Sequence, residues 1–371
     1  MKGENIKIEC FTVKELKVLL EEKDFWFQNV TPITRHRAQL LVHNPRAQPD
    51  DPALFIAREG DEIVGYRAVL VDHIYVDGET IRIGWGSSFW VSEHRRGQGV
   101  GRLLFQDGYE RWKGITGSLL QSRDAARVYE RDKNFFCFNN KEGYQFILRL
   151  NSLYWLQRKV RVPRWLAWIF APLDLVVNAL LAPFRAAWVS RRKPMEGLRV
   201  EYCREIVDRE TIDFVNTYNE GTLTRKTVAD LNAIVRYPTS LATPLEDAIA
   251  SRYFFAIKSA RFDYLYFKVY NLDLNLKAVV LLNIDGGTLK LLYYFCESRD
   301  VLPRVFDVVL LHAHRLKTEI ISSYDAEFNE HILKTRFPRL SARKQVRKSF
   351  VPEKFRSLNL QRYKTFDGDV A

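Results

Sequence analysis

The stretch VSEHRRGQGVGRLL, Val91 to Leu104, sets two arginines ahead of three alternating glycines and then changes to the apolar spacing of a helix. A helix N-terminus carries unpaired N–H groups and a partial positive charge, so it binds phosphate groups well. Gly97, Gly99 and Gly101 keep bulky side chains away from such a ligand, and Arg96 offers a charge that pairs with an anion. The stretch therefore predicts a phosphate-binding turn between a strand and a helix.

The three glycines are also compatible with a plain strand-to-helix turn, because glycine adopts positive φ without strain. A Walker A loop is excluded, since no Gly-Lys-Ser/Thr follows. A dinucleotide fold requires a parallel sheet from its first strand, whereas the strands before this turn are predicted to be antiparallel.

Residues 1–150 predict one domain around this turn. IKIECF indicates a strand, and two segments with helical spacing follow it. Three strands, ALFIAR, EIVGYRAVLV and TIRIGWGSSFWV, are separated by the turns EGD and VDG. GRLLFQDGYERWKG, GSLLQS, RDAARVYERDKNF and EGYQFILRL then predict helix, strand, helix and strand. The predicted fold class is α/β (α+β), with a mixed, mainly antiparallel sheet flanked by helices.

Residues 198–371 repeat much of this order with little sequence in common. RETIDFVNTYNEG and RKTVADLNAIVRYP indicate helices, and YFFAIK, YLYFKVY, LKAVVLLNI and TLKLLYYFC indicate strands. A long helix, the strand TEIISSY and the helix DAEFNEHILK follow. We interpret the chain as two copies of one fold in tandem, with a degenerate second copy.

The glycine stretch resembles a known motif. Arg96-Gly97-Gln98-Gly99-Val100-Gly101 is similar to the R-x-x-G-x-G acyl-CoA pyrophosphate loop of the GNAT acetyltransferase superfamily, and GRLLFQDGYERW resembles the helix that follows it. SRDAARVYE, Ser122 to Glu130, resembles the N-x-x-A-x-x-x-Y pattern after the fifth strand of that family. Two departures exist: Ser122 replaces the usual asparagine, and KNF, shifted by one residue, replaces GF. The resemblance covers residues 1–150.

The resemblance implies an acetyl-CoA-dependent N-acetyltransferase in which Tyr129 is the general acid for the departing CoA thiolate. A buried core tyrosine is the alternative interpretation of Tyr129. The general base is less defined, because TIRIGWGSSFWV contains no carboxylate. Asp72, His73 and Glu93 are weak candidates, and a water chain past Ser87 or Ser88 is another route. The residues expected to bind acetyl-CoA are Phe89, Trp90, Val91, Arg95, Arg96, Gly97, Gln98, Gly99, Val100, Gly101, Arg102 and Ser122.

The segment ESRDVLPRV occupies the corresponding turn of the second half and contains no glycine. Residues 198–371 are therefore expected to lack a CoA loop and to shape the acceptor site instead. The expected acceptor is a small molecule with a primary amine, such as an amino sugar or an envelope precursor. An aminoacyl transferase resembling the Fem-type tandem enzymes is one alternative, and a non-catalytic acyl-CoA-binding or membrane-associated protein is another.

Residues 151–197 are predicted to be an apolar, Trp-rich helical connector with basic residues at both ends. Asp174, Asn178, Pro172 and Pro183 interrupt the apolar run, so no membrane-spanning helix is predicted. Two interpretations remain: a connector packed between the domains, or an amphipathic segment, residues 163–189, lying on an anionic membrane surface.

Composition narrows the classes of function. The net charge of +12 favours anionic partners, but no nucleic-acid-binding signature occurs, so no specific nucleic-acid binding is expected. The four cysteines are scattered, which indicates neither disulfides nor a zinc site and fits a reducing cytoplasm. His312 and His314 lie two residues apart on a helix and face different ways, so no metal is expected. The N-terminus lacks the apolar region of a signal peptide. We expect a cytoplasmic protein, peripheral on the inner face of the membrane if the connector binds lipid.

Overall fold

The structure is a computed structural model that describes residues 6–22, 24–119, 123–152, 156, 167–240, 252–255, 259 and 261–370. It confirms the predicted fold class: two mainly antiparallel sheets are flanked by helices. The elements of the first half are β1 (Ile6–Thr12), α1 (Val13–Leu19), α2 (Arg35–Val42), β2 (Pro52–Glu59), β3 (Glu62–Val76), β4 (Glu79–Val91), α3 (Val100–Arg111), β5 (Thr116–Gly117), α4 (Arg123–Arg131) and β6 (Phe135–Ile147).

A long helix, α5 (Ala167–Arg192), leads into the second half. The elements of that half are β7 (Leu198–Cys203), α6 (Arg209–Thr217), α7 (Val228–Arg236), β8 (Phe262–Asn271), β9 (Leu276–Asp285), β10 (Thr288–Cys296), α8 (Leu302–Arg315), β11 (Ile320–Ser323), α9 (Ala326–Lys334) and β12 (Ser341–Pro352). The order of strands and helices in this half is the order found in the first half.

The pairing pattern of the strands also recurs. The first sheet has the order β1-β2-β3-β4-β5, and the second has the order β12-β6-β11-β10-β9-β8-β7. In each half the first four strands pair antiparallel, and the fifth pairs parallel with the fourth over only two residue pairs. A parallel pair that stops so early leaves a gap where the two strands diverge.

The last strand of each half crosses to the other half. β6, which the sequence predicts as part of the first domain, pairs antiparallel with β11 and with β12. β12 in turn lies beside β5, where Ser118 and Phe350 form an antiparallel bridge. The predicted domain boundary at residue 150 therefore does not separate the two sheets, because β6, which precedes it, is a strand of the second sheet.

Helices cover both faces of the first sheet. α1 and α2 begin at Thr12 and Thr34, whose side chains accept hydrogen bonds from backbone N–H groups of the first turn. They pack on one face, around Leu16, Trp26 and Ala38. α3 packs on the other face, around residues shared with β2, β3 and β4: Phe55, Ala57, Val64, Val69, Val71, Val100, Leu104 and Trp112.

Several predicted elements differ from the observed ones. The helix RDAARVYERDKNF ends at Arg131, and β6 begins at Phe135 rather than at EGYQ. GSLLQS contributes strand only at Gly117, and residues 120–122 lie outside the described residues. YFFAIK is not a strand where it is described, because Tyr253 has no regular structure and Phe254 and Phe255 form a bend. β7 and β12 were not predicted. β7 has only six residues, although charged and apolar residues alternate along LRVEYC, and β12 begins with the charged run SARKQVRK.

Candidate active site

The glycine turn joins β4 to α3 as predicted. Gly97 and Gly99 have φ of 77° and 93°, and no atom lies within 4 Å of a Cβ built at either position. These two glycines are therefore required by the backbone conformation rather than by crowding. Gly101 has a different role, because a Cβ there would lie 3.3 Å from the ring of Phe89.

The N-terminus of α3 is open to a ligand. Gly99 is the N-cap residue and has no side chain, so no side chain caps the helix. The first N–H groups of α3 thus have no intrahelical partner and point out of the helix end. This is the arrangement that binds phosphate groups.

The basic residues of the turn divide into two groups. Arg95 is held in place by Glu59 and by the side-chain oxygen of Gln98, at 3.0 Å from Nη1. Arg96 is about half exposed, donates from Nε to the carbonyl of Val91 at 3.3 Å and lies 3.6 Å from Glu93. Arg102 is exposed on the first turn of α3. Arg96 and Arg102 are therefore the cations available to a phosphate, whereas Arg95 shapes the turn.

A β-bulge interrupts β4 just before this turn. Tyr66 of β3 pairs with Trp90 and Ala68 pairs with Ser87, so Ser88 and Phe89 both oppose Arg67. Ser88 has φ of 47°, which is rare for a residue with a side chain. A bulge leaves the backbone of the extra residue outside the ladder and redirects the neighbouring side chains. Phe89 and Val91 face α3, while Trp90 stacks on Tyr66 at the opposite face.

Tyr129 lies where β4 and β5 diverge. The parallel pairing stops at Trp85 and Gly117, and the Tyr129 hydroxyl lies 3.5 Å from the carbonyl oxygen of Gly117. A Cβ at Gly86 would lie 2.9 Å from the same hydroxyl. The ring is enclosed by Phe105, Phe135 and Phe350, with centroid distances of 4.9, 5.1 and 5.4 Å. Helix α4 thus delivers one polar atom into the gap between the strands.

Arg67 is a site residue that sequence reasoning did not identify. Its side chain is 1% exposed, and Nη2 donates to the Tyr129 hydroxyl at 3.4 Å. Nη1 donates to the carbonyl of Phe105 at 3.4 Å, and no described carboxylate forms an ion pair with this guanidinium. A Cβ at Gly86 or Gly108 would lie within 2.9 Å of Arg67 nitrogens, so these glycines make room for it. The sequence signal is one arginine inside the apolar run GYRAVLV of β3.

The structure does not support Asp72 as a base. Its carboxylate is completely buried and is bound by Arg46 at 2.6 Å, Lys226 at 2.9 Å and the indole N–H of Trp85 at 3.1 Å. Both oxygens of this carboxylate are therefore occupied by partners within the protein.

His73 and Glu93, the other two candidates for the general base, do not contact Tyr129 in the part of the chain that the structure describes. His73 has its pKa lowered by burial and by the nearby Arg46, and it packs edge-on against Tyr75. Glu93 is exposed on the short turn after β4, 3.6 Å from Arg96. No described contact joins His73 or Glu93 to Tyr129. Ser122 lies outside the described residues.

Ser88 faces the side of the sheet opposite Tyr129, where the second half of the chain contributes. The hydroxyl of Tyr253 donates to Ser88 Oγ at 3.3 Å, and Arg37 of α2 donates to the same oxygen at 3.4 Å. Tyr253 stacks on Tyr66, and burial raises the pKa of the Tyr253 hydroxyl. The bulge thus lies between Tyr129 on one face and a polar and aromatic cluster on the other.

The corresponding gap of the second half is filled. Between β10 and β11 the C-terminal residues pack against β10: the Phe366 ring centroid lies 5.4 Å from those of both Tyr293 and Tyr294, and Gly368 approaches the Tyr293 ring so closely that a Cβ would overlap it. Asp367 accepts a hydrogen bond from the N–H of Tyr324 at 2.9 Å.

Helix α8 of the second half begins without a glycine turn. Its N-cap residue is Val301, Pro303 lies in its first turn, and no glycine precedes it. Counted from the helix starts, Ile332 of α9 stands where α4 has Tyr129, and it is completely buried. In the described chain no group of three His, Cys, Asp or Glu residues is placed to hold a metal, and His312 stacks on Phe267.

The fold and the turn together define a class of protein. Residues 50–132 match the family model described as an acetyltransferase (GNAT) domain, which includes β2, β3, β4, the glycine turn and Tyr129. The chain therefore contains a GNAT domain, and it is an acyltransferase that uses acyl-CoA.

A solved structure agrees with this fold. N-myristoyltransferase of Saccharomyces cerevisiae with bound myristoyl-CoA matches with a TM-score of 0.52 and 12% identity, over 94% of this chain and 79% of that chain. GCN5-related N-acetyltransferases from Kribbella flavida and Anabaena variabilis ATCC 29413 also match, with TM-scores of 0.48 and 0.49 and identities of 13% and 11%. They cover 93% and 94% of this chain, and 71% and 72% of their own. No curated protein matches the sequence.

Proposed function

We propose that the protein transfers an acetyl group from acetyl-CoA to a primary amine, and that the first half carries the reaction. The observation that carries this proposal is the position of the Tyr129 hydroxyl in the gap between β4 and β5, beside Phe105 of α3, the helix whose N-terminus is uncapped. The pyrophosphate of CoA would bind the N–H groups of α3, with Arg96 and Arg102 beside it.

The reaction has a simple balance. The amine nitrogen attacks the thioester carbonyl, the C–N bond forms, and the C–S bond breaks. Tyr129 gives its proton to the departing thiolate and regains one from solvent. The proton lost by the amine passes to water on the Ser88 side of β4, because Asp72 is held in ion pairs.

Arg67 contributes charge to the same step. Its guanidinium lies 3.4 Å from the Tyr129 hydroxyl and has no described carboxylate partner to neutralise it. A buried cation interacts strongly with negative charge that develops nearby, since little water screens it. We therefore assign Arg67 to stabilising the charge that appears on sulfur and tyrosine as the C–S bond breaks.

Close packing around the Tyr129 hydroxyl supports a short acyl group. A Cβ at Gly86 would lie 2.8 Å from Arg67 Nη2 and 2.9 Å from the Tyr129 hydroxyl. The side chains of Arg67 and Tyr129 are both buried there. An acetyl group needs less room beside them than a long chain does.

The second half is proposed to be a degenerate copy that binds no CoA and helps to form the acceptor site. The filled gap between β10 and β11 and the absence of glycine before α8 support the first part. The contact of Tyr253 with Ser88 supports the second part, because it brings the second half to the bulge of β4. The acceptor would approach from this face, opposite Tyr129.

The test is release of CoA thiol from acetyl-, butyryl- and myristoyl-CoA in the presence of a panel of amines, amino sugars included. Turnover with acetyl-CoA and at least one amine is expected, together with a large loss in Tyr129→Phe. Binding of acetyl-CoA without turnover would favour a non-catalytic acyl-CoA-binding protein. Transfer from charged tRNA without acetyl-CoA binding would favour an aminoacyl transferase.

A further inference from the structure

Helix α5 has its polar and apolar faces reversed relative to the surface helix of a soluble protein. Seven large apolar side chains along it are more than half exposed, and Trp168, at 85%, and Leu175, at 71%, are the most exposed of them. A surface helix normally turns this kind of face toward the core. The other exposed members of this apolar face are Ile169, Leu173, Val176, Leu180 and Phe184.

The polar side chains of α5 are the ones that contact the protein. Asp174 accepts hydrogen bonds from the N–H and the hydroxyl of Ser152 at 2.9 and 2.6 Å. Asn178 bonds both backbone groups of Leu150, at 2.8 and 2.9 Å. Arg185 is 1% exposed and donates to the carbonyl of Leu148. These residues lie on one face of the helix, at intervals of four and seven.

The last turns of α5 are anchored to the second half. Trp188 is buried, packs on Phe337 at 4.9 Å and donates to the carbonyl of Thr335 at 3.1 Å. Arg192 pairs with Asp307 of α8 at 2.8 Å. The orientation of the helix is therefore fixed by specific contacts, and its apolar face is held outward.

We propose that this apolar face lies on an anionic lipid bilayer. An exposed apolar surface of this length marks a site of interaction with a membrane or another protein. The charges of the residues that flank it indicate which partner it binds. Arg191 lies in the last turn of the helix, residues 158–164 of the sequence carry four further basic residues, and the only acidic residue within α5 is Asp174, which points inward. Basic residues next to an apolar face are attracted to the negative surface of an anionic bilayer.

A second copy of the chain fits this face less well. Basic residues flank both ends of the apolar run, so parallel and antiparallel pairing of two α5 helices would each bring like charges together. Aromatic side chains near the ends, Trp168 and Phe184, suit the boundary between lipid headgroups and acyl chains.

The helix is long and apolar enough to cross a membrane, at 25 residues from Trp168 to Arg192. The inward contacts argue for lying flat instead. Asp174, Asn178 and Arg185 are bonded to backbone and side-chain groups of residues 148–152, so a spanning helix would carry this polar chain into the hydrocarbon region. A flat helix buries its apolar face and leaves these contacts intact.

Co-sedimentation with vesicles tests the proposal. Full-length protein is mixed with vesicles of phosphatidylcholine containing about 30% phosphatidylglycerol, a content that gives an anionic surface, and with pure phosphatidylcholine. The protein is expected to pellet with the anionic vesicles and to be partly released by high salt, because salt screens the basic residues. The variant Leu175→Gln, Leu180→Gln, Phe184→Gln is expected to lose at least tenfold in partitioning, since it removes three of the apolar side chains that would enter the bilayer.

The matched control is Val207→Gln, Leu272→Gln, Val346→Gln, which removes three exposed apolar side chains outside α5. It is expected to bind like the wild type. All six positions are exposed, so thermal unfolding of both variants should match that of the wild type. Wild-type protein that stays in the supernatant with anionic vesicles overturns the proposal. So does equal binding by the two variants, or a dimer that the α5 substitutions dissociate while vesicles fail to bind.

Discussion

Tyr129 can lose its hydroxyl and keep its packing, since the ring contacts Phe105, Phe135 and Phe350. Tyr129→Phe is therefore expected to leave the melting temperature unchanged and to lower kcat about 100-fold, the usual scale for loss of a general acid. Tyr109→Phe is a matched control, because Tyr109 also packs on Phe135 but lies in the last turn of α3, away from its N-terminus. Steady-state kinetics of the two variants check this. Equal activity of Tyr129→Phe and the wild type would mean that Tyr129 is a buried core residue and not the general acid.

Substitutions of Arg67 are expected to affect catalysis and stability in opposite directions. A buried cation without a counterion is costly to the fold, so Arg67→Met should leave the free energy of unfolding unchanged or raise it. The same substitution should lower kcat at least tenfold with a smaller effect on KM, because the charge acts as the bond breaks. Arg67→Lys should restore part of kcat. Arg67 would instead have a structural role if Arg67→Met lowered the free energy of unfolding strongly and Arg67→Lys left kcat unchanged.

These residues show where sequence alone suffices. The glycines of the turn and Tyr129 follow one another at fixed spacing on adjacent elements, so local pattern predicts them. Arg67, the bulge at Ser88 and the approach of Tyr253 depend on pairing between strands and between halves. No local pattern encodes the pairing. For the same reason the sequence leaves Asp72 open as a weak base candidate, since its partners Arg46 and Lys226 are distant in sequence.

At the scale of elements, the turn before α3 has glycine at positive φ where the phosphate groups of CoA are proposed to bind. Gly99→Ala is expected to strain a residue at φ of 93° by about 1–2 kcal/mol. Because the loop then shifts away from the N-terminus of α3, affinity for CoA should fall about tenfold, which is the weakening that 1.4 kcal/mol causes. Calorimetric titration measures it.

Gly78→Ala is the matched control for that experiment. Gly78 has φ of 86° in the turn between β3 and β4, and no atom lies within 4 Å of a Cβ there. It should therefore lower stability as Gly99→Ala does and leave the affinity for CoA unchanged. Equal loss of affinity in the two variants would mean that the turn before α3 has no specific contact with CoA.

The elements themselves were largely predictable where a strand or helix buries one face. β2, β3, β9, β10 and α8 were predicted from continuous or periodic apolar residues. β12 was missed because its exposed half is SARKQVRK, whose charges resemble a loop, and only its partner β6 makes it a strand. The sequence of α5 shows that its polar residues share one face of the helix. It does not show that this face points inward, because that depends on contacts with residues 148–152.

On the scale of the whole molecule, a buried ionic cluster joins the two halves. Arg46 of the first half contacts Asp230 at 2.6 Å and Asp72 at 2.6 Å, and Lys226 contacts Asp72 at 2.9 Å. Arg46→Met removes the shared cation and leaves buried carboxylates uncompensated. It should lower the free energy of unfolding by about 3–5 kcal/mol, measured with urea. The exposed pair of Arg356 and Glu353 gives a control, and Arg356→Met should leave the urea unfolding transition close to that of the wild type.

The same cluster gives a pH dependence. Burial by itself would raise the pKa of Asp230, but Lys226 and Arg46 lower it below the ordinary value. A carboxylate with a lowered pKa in the folded state contributes stability that is present above about pH 4 and is lost as the pH falls further. Urea unfolding between pH 3 and pH 7 should therefore show a decline at the acidic end that is shallower in Asp230→Asn. A decline of equal steepness in the two proteins would place the acid-sensitive groups elsewhere.

One half of this chain is proposed to hold acyl-CoA at the uncapped N-terminus of α3, while the other half, with its gap filled by residues 366–370, is proposed to hold none. Calorimetric titration of the full-length protein with CoA tests it most directly. We predict one site per chain in the wild type, much weaker binding in Gly99→Ala, and one unchanged site in Gly78→Ala. Two sites per chain, or binding that Gly99→Ala leaves intact, would contradict the account.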